Sequence, residues 1–397
     1  MIGLYKNRFF LPVAIALLGV AILLTLVVGS ASGESPSRKI VVFESGVDRD
    51  AALAGHQVTK VKGLPIINAA VVIVPSAAAE RRLKNQVGVL RVDNDVVVHA
   101  LGKPAGKPGG GDSTPLPQQL TWGVDRVDAE LVWPTGNSAD LIKVAVVDTG
   151  ISKDHPDLTV WGGVNTINSK KSWDDDNGHG SHVAGIIAAN NNDVGVVGVA
   201  HSADIYAVKV LDRNGSGWLS DIIEGIQWSI DNGMQVINMS LGSASDVQSF
   251  HDAVIGAHNA GVVVIAAAGN NSGAVIYPAA YPETIAVSAT DQNNNLASWS
   301  SRGPEVDLAA PGVGIYSTYK GSSYATLSGT SMASPHVAGS AALVLNSAIG
   351  SYDANSNGVW DPSEVKQKLQ DSATDLGVLG FDNLFGWGLV NAYSATQ

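Results

Sequence analysis

From residue 118 onward, short apolar runs alternate with helical stretches, and this alternation restricts the fold more than any other feature of the chain. The runs 142–147, 205–210, 236–239, 262–267 and 284–287 are dominated by valine, isoleucine and alanine. They lack a polar alternation, so each reads as a strand covered on both faces. Helical patterns fall near 179–189, 219–230, 247–259 and 332–347. Buried strands separated by helices predict an α/β doubly wound parallel sheet. Reactive groups in such sheets gather at the C-terminal strand ends.

Composition narrows the chemistry. The 397-residue chain carries a net charge of −12 and no long basic run, which argues against a nucleic-acid partner. There is no cysteine, so neither disulfides nor thiolate metal sites can brace the fold. With 44 glycines and only 15% charged residues, close backbone approaches and a large core are expected.

The segments before residue 118 differ in kind. Lys6 and Arg8 precede an uncharged run, and Gly29-Ser30-Ala31 offers small residues for cleavage, so 1–31 reads as a secretory signal. The same run is long enough for an uncleaved membrane anchor. Residues 32–101 form a small α+β unit. Strands are expected at 39–44, 69–74, 87–92 and 96–99, with helices at 48–54 and 77–85, in a ferredoxin-like arrangement. Residues 102–117, rich in Gly, Pro, Lys and Ser, read as a linker. The main domain then spans 118–397.

Within it, three glycine-flanked stretches carry an acid, a base and a nucleophile. Asp148 ends the strand in Val146-Val147-Asp148-Thr149-Gly150. His179 opens the helix in His179-Gly180-Ser181-His182-Val183-Ala184-Gly185. Ser331 lies in Gly329-Thr330-Ser331-Met332-Ala333-Ser334-Pro335, at a turn running into a helix. Serine is a poor nucleophile until an imidazole takes its proton, and a carboxylate orients that imidazole. Singly, each has a plainer reading, as a turn former, a structural histidine or a helix cap.

These stretches resemble the subtilisin-like serine proteases, continuously from about residue 118 to 391. The linker and 102–127 look most like archaeal Thermococcus-type members. Ser181 departs from the threonine common in the family. The resemblance implies that Asn270, in Ala266-Ala267-Ala268-Gly269-Asn270, is the oxyanion-hole amide, aided by the Ser331 N–H. It implies that Gly215-Ser216-Gly217 and Ser240-Leu241-Gly242 hold an extended peptide between them. Leu219, Ile222 and Leu241 should line an apolar pocket four residues before the cut. Ile276 stands where family members often have glycine, which should shorten the primary pocket and disfavour large aromatics, while uncharged Asn271 gives no preference for basic residues. Residues 32–101 become a propeptide, intramolecular chaperone and inhibitor, with self-cleavage between Leu101 and Gly102. Val98 suits the distal pocket and Leu101 the primary one.

Two calcium sites are expected. Residues 353–364 fit the EF-hand rule D-x-[DN]-x-[DN]-G-x5-E, with Asp353, Asn355, Asn357, the Val359 carbonyl, Asp361 and Glu364 as oxygen donors, and with flanking helices. A surface turn rich in Asn and Asp is the alternative. The second site follows from the resemblance: side chains of Gln118, Asp157 and Asn192, with carbonyls of Asn190, Val194 and Val196. Asp174-Asp175-Asp176 reads as a solvated acidic turn or a weak cation site. The resulting expectation is a secreted, calcium-stabilised, monomeric endopeptidase acting on proteins and peptides. Its rivals are a non-catalytic calcium-binding protein on the same scaffold and an α/β-hydrolase. The hydrolase predicts Gly-x-Ser-x-Gly and the order Ser, acid, His, neither of which occurs here.

Overall fold

A computed structural model describes residues 35–104 and 117–397. The expected signal segment, 1–31, and most of the expected linker, 102–117, lie outside the described residues. From 35 onward the chain is one compact unit.

The main sheet has seven parallel strands in the spatial order Leu308–Pro311, Thr284–Thr290, Val263–Ala267, Val236–Met239, Lys143–Asp148, Asp204–Lys209, Val160–Asn165. Alternate residues of the central strands enter opposite cores. Val144 and Val146 pack with the helices His179–Ala188 and Thr330–Leu345, whereas Ala145 and Val147 pack with Leu219–Asp231 and Gln248–Asn259. Both faces are covered, which is why these strands read as unbroken apolar runs. Asp148, Ser240 and Asn270 lie at or just beyond the ends of three neighbouring strands.

The front unit has four antiparallel strands in the order Thr59–Leu64, Ala69–Val74, Ser37–Phe43, Val89–Asn94. Its helices are Arg49–Leu53 and Ala77–Lys84. Two sequence expectations need correction. Thr59–Leu64 was not expected as a strand: Lys60 and Lys62 make it polar, as an edge strand often is. The strand expected at 96–99 forms as Val97–Ala100, but it leaves this sheet and pairs with the main domain.

Val41 and Phe43 pack beneath the front unit's own helices. Ile40 and Val42 face the other way, into the core around the helices Leu219–Asp231 and Gln248–Asn259. Those two helices begin after Trp218 and Val247, which offer no capping side chain. The front unit supplies the caps. Asp95 accepts from Ser220 N and Oγ, both at 2.8 Å, and Asp93 accepts from Ser249 N at 3.2 Å. Such caps contribute about 0.5–2 kcal/mol each. Arg38 pairs with Asp95, and Arg91 with Asp93 and Asp252, so neither capping carboxylate is left without a cation.

Candidate active site

The strand Lys143–Asp148 delivers Asp148 to the sheet's C-terminal edge, fully buried. His179 is the first residue of its helix, and its Nδ1 donates to Asp148 at 2.8 Å. The preceding Gly178 is at φ +115°, and a Cβ there would lie 2.3 Å from the Tyr319 ring, so only glycine fits. Burial alone would lower the His179 pKa, but the Asp148 carboxylate, with help from Asp175, more than offsets it and the net shift is upward. Nε2 is buried and has no hydrogen-bond partner among the described residues, so its lone pair is free to accept a proton.

Ser331 is the second residue of the helix Thr330–Leu345. Its Oγ donates to the Ser240 carbonyl at 2.9 Å, not to His179. Catalytic hydrogen bonds are often unmade before the reactive complex forms. Asn270 is held by Thr330, whose N and Oγ1 each donate to Asn270 Oδ1 at 2.9 Å. That fixes Nδ2, which donates to the carbonyl of Leu101.

The front unit's last strand runs through this site. His99 pairs with Ser216 and Gly242, Val98 with Gly217, and Ala100 with Leu241, antiparallel on both edges. Ala100 N donates to Gly215 O at 2.9 Å, and Leu101 N to Ser240 O at 3.2 Å. Val98 is completely buried in the same apolar cluster as Leu219, Ile222 and Leu241, worth about 1.5–3 kcal/mol on its own. Ile276 packs against Gly242, where a Cβ would meet its Cδ1 at 2.7 Å. Gly102 rests on the imidazole: a Cβ there would be 2.7 Å from His179 Nε2.

Sequence reasoning missed several contributors. Lys103–Pro104 pairs antiparallel with Tyr324–Ser328, so the strand past the expected cut has its own edge. Gly329 leaves room for the Leu101 carbonyl, which would lie 2.5 Å from a Cβ. The acidic turn at 174–176 is not solvated throughout, because Asp175 is buried. It accepts from Thr149 Oγ1 at 2.9 Å, Gly178 N at 2.9 Å and Ser181 Oγ at 2.7 Å, tying the Asp148 turn to the His179 helix. Its glycine-free, polar sequence gave no sign of this.

Among the described residues no group of three or more His, Cys, Asp or Glu side chains is arranged to hold a metal. Several of the expected amide and carboxylate side chains lie within hydrogen-bond reach of one another. Asn192 Nδ2 donates to Asp157 Oδ1 at 3.2 Å, and Gln118 Oε1 accepts from Asn192 N. Asn190 N donates to Asp157 O at 3.0 Å, while Val194 and Val196 bridge to Pro117 and Gln119. Asp157 is buried and pairs with no cationic side chain among the described residues; burial pushes its carboxyl up to about 6 against hydrogen bonds from Val196 N, Tyr324 and Asn192. In the 353–364 loop, Asn355 and Asn357 Nδ2 both donate to Asp361, and Asp353 accepts from Asn357 N at 2.9 Å. Val359 N donates to Asn357 Oδ1 at 2.8 Å. Glu364 instead accepts from Ala354 N and Asp361 N, at 2.8 and 2.9 Å, the latter closing a capping box on the helix Pro362–Asp371. The preceding helix ends at Leu345, and a single turn, Gly350–Tyr352, intervenes before Asp353.

Comparison with known proteins agrees with this geometry. The Subtilase family profile (Peptidase_S8) matches residues 139–388. Subtilisin Savinase of Lederbergia lenta is 50% identical over 281 residues, covering 70% of this chain and all of that protein. An alkaline protease of Shouchella clausii is 49% identical over 285 residues, 72% of each chain. The minor extracellular protease Epr of Bacillus subtilis is 40% identical over 385 residues, 92% of this chain and 57% of that one. These relatives are bacterial, and the closer likeness to archaeal Thermococcus-type enzymes finds no support among them. No described helix is long and apolar enough to cross a membrane. By profile, by identity over most of its length and by its parallel α/β sheet, the chain belongs to the subtilase family and is a subtilisin-like serine endopeptidase.

Proposed function

We propose that Ser331, His179, Asp148 and Asn270 carry out the peptide hydrolysis, and that the first bond cut is the chain's own Leu101–Gly102. The observation that carries this reading is the seating of that bond. The Leu101 carbonyl accepts from Asn270, the Leu101 N–H donates to Ser240, and Gly102 lies against His179 Nε2. In the reaction, Ser331 Oγ turns from Ser240 to His179 and attacks the carbonyl carbon as its proton passes to Nε2. The carbonyl π electrons move to oxygen, where Asn270 and the Ser331 N–H stabilise the charge. Collapse breaks the C–N bond, the imidazolium gives its proton to the leaving amine of Gly102, and an acyl-enzyme ester remains. Water, deprotonated by His179, releases the acid and restores Ser331.

Residues 32–101 then act as chaperone and inhibitor. The two helix caps from Asp93 and Asp95 support the first role, and the strand Val97–Ala100 in the cleft supports the second. Residues 1–31 direct export. Protein and peptide substrates are bound by the same two edges, with an apolar, non-bulky residue in the primary pocket beside Ile276. The enzyme works as a monomer.

Calcium is proposed at both loops. A buried carboxylate without a cationic partner, Asp157, fits a hard cation at the first, held with Gln118, Asn192 and the carbonyls of Asn190, Val194 and Val196. Asp353, Asn355, Asn357, Val359, Asp361 and Glu364 offer a matching oxygen set at the second. Bound calcium would supply native-state stability that a cysteine-free chain cannot obtain from disulfides.

The test is intact mass and N-terminal sequencing of purified precursor incubated with calcium, beside Ser331→Ala. A new terminus at Gly102 in the parent alone is expected. A mature-sized product from the purified alanine variant would break the assignment.

A further inference from the structure

Pro335 lies within the helix Thr330–Leu345. It has no N–H, so the carbonyl four residues earlier loses its helical donor. That carbonyl belongs to Ser331. A buried backbone carbonyl left unpaired is costly, and the structure supplies a donor from outside the helix. Ser240 Oγ donates to Ser331 O at 2.9 Å. Asn238 Nδ2 donates to Ser240 Oγ at 3.0 Å, which leaves the serine proton committed to Ser331. Ser334 Oγ in turn donates to Asn238 Oδ1 at 2.7 Å. Asn238, Ser240, Ser331 and Ser334 are all completely buried. The end of one central strand thus grips the first turn of the Ser331 helix through the Asn238 and Ser240 side chains as well as through the Ser240 carbonyl.

We propose that the Ser240 hydroxyl is a positioning residue for the nucleophile: it replaces the amide that Pro335 lacks and thereby sets the backbone from which Ser331 Oγ reaches both His179 and the Leu101 carbonyl. Asn238 acts one step behind, by orienting that hydroxyl. This rests on Ser331 being the nucleophile. The role is separate from that of the Ser240 backbone, whose carbonyl accepts from Leu101 N. Ser240→Ala removes the first and keeps the second, so the two can be told apart.

The experiment is a double-mutant cycle on the mature enzyme. Rates are counted per active site titrated with a serine-directed phosphonate, so unfolded material drops out. Small misplacements of a nucleophile act on kcat. Ser240→Ala is expected to lower kcat about tenfold or more while KM stays within about twofold. Pro335→Ala restores an N–H to the helix, and in that background Ser240→Ala should cost less than about threefold. A kcat within about twofold of the parent, equal costs in both backgrounds, or a rise in KM alone would each overturn the proposal. If Ser240→Ala yields no folded protein, recovery of folded protein in the double variant supports the proposal and its failure to recover overturns it. Turnover by Ser331→Ala would instead overturn the nucleophile assignment. Phosphonate labelling of Ser331 together with a purely additive cycle leaves that assignment standing and removes only the positioning role.

Discussion

Gly329→Ala tests the cleft geometry at its tightest point. The backbone of Gly329 is extended, at φ 160° and ψ 162°, so alanine brings no conformational strain. The difficulty is space. The added Cβ would lie 2.5 Å from the Leu101 carbonyl oxygen, 3.1 Å from Asn270 Nδ2 and 3.2 Å from Gly102 Cα. Even C–H···O contacts rest at about 3.3–3.6 Å, so the carbonyl must retreat by most of an ångström and abandon Asn270. In a subtilisin, removing one oxyanion donor costs about 10²–10³ in kcat, or about 2.7–4 kcal/mol, and a loss of that size is expected here. The fold should barely respond, with less than about 1 kcal/mol and a shift in Tm under about 4 °C. The assay is kcat/KM on a peptide amide with leucine before the cut, using mature enzyme, together with calorimetry. A variant within about threefold of the parent would refute the reasoning, because the methyl would then have found room that the structure denies it.

Three further perturbations probe the same site and its surroundings. Asp175→Asn removes a carboxylate that helps hold the His179 pKa up, so the acid limb of kcat/KM should move to lower pH; His179 then stays neutral, and able to accept a proton, further into acid. An unmoved limb would show that Asp175 has no electrical effect on His179. Thorough chelation should lower the Tm of the mature enzyme, since a ligand at about 100 times its Kd adds about 2.7 kcal/mol; Asp157→Asn should remove most of the calcium response, and an unchanged Tm would count against both sites. Ile276→Gly should widen the primary preference toward Phe and Tyr, and an unaltered cleavage profile would sink the pocket assignment.

The chemistry was readable along the chain because subtilase chemistry is written in short local motifs. A glycine-flanked Asp at a strand end, a His opening a helix and a Ser before a helix all declare themselves within a few residues. The unbroken apolar runs likewise follow from a sheet covered on both faces, a property each strand carries by itself. Thr59–Leu64 was hidden because an edge strand is free to be polar. Val97–Ala100 was visible as a strand, yet strand propensity says nothing about which sheet accepts it, and its partners lie more than a hundred residues away.

What only the tertiary structure decided is of that long-range kind. Asp93 and Asp95 look like ordinary surface acids until two uncapped helix ends arrive opposite them. Asp175 looks like a solvated turn until the Asp148 and His179 segments close over it. Pro335 looks like a flaw in a helix until Ser240 is seen filling the missing bond. Sequence alone determined most of the elements and singled out the candidate reactive groups, because periodicity and motif spacing are local. Which polar groups satisfy one another was decided by folding, because burial makes an unpaired donor or acceptor costly and the chain chooses partners across the whole molecule.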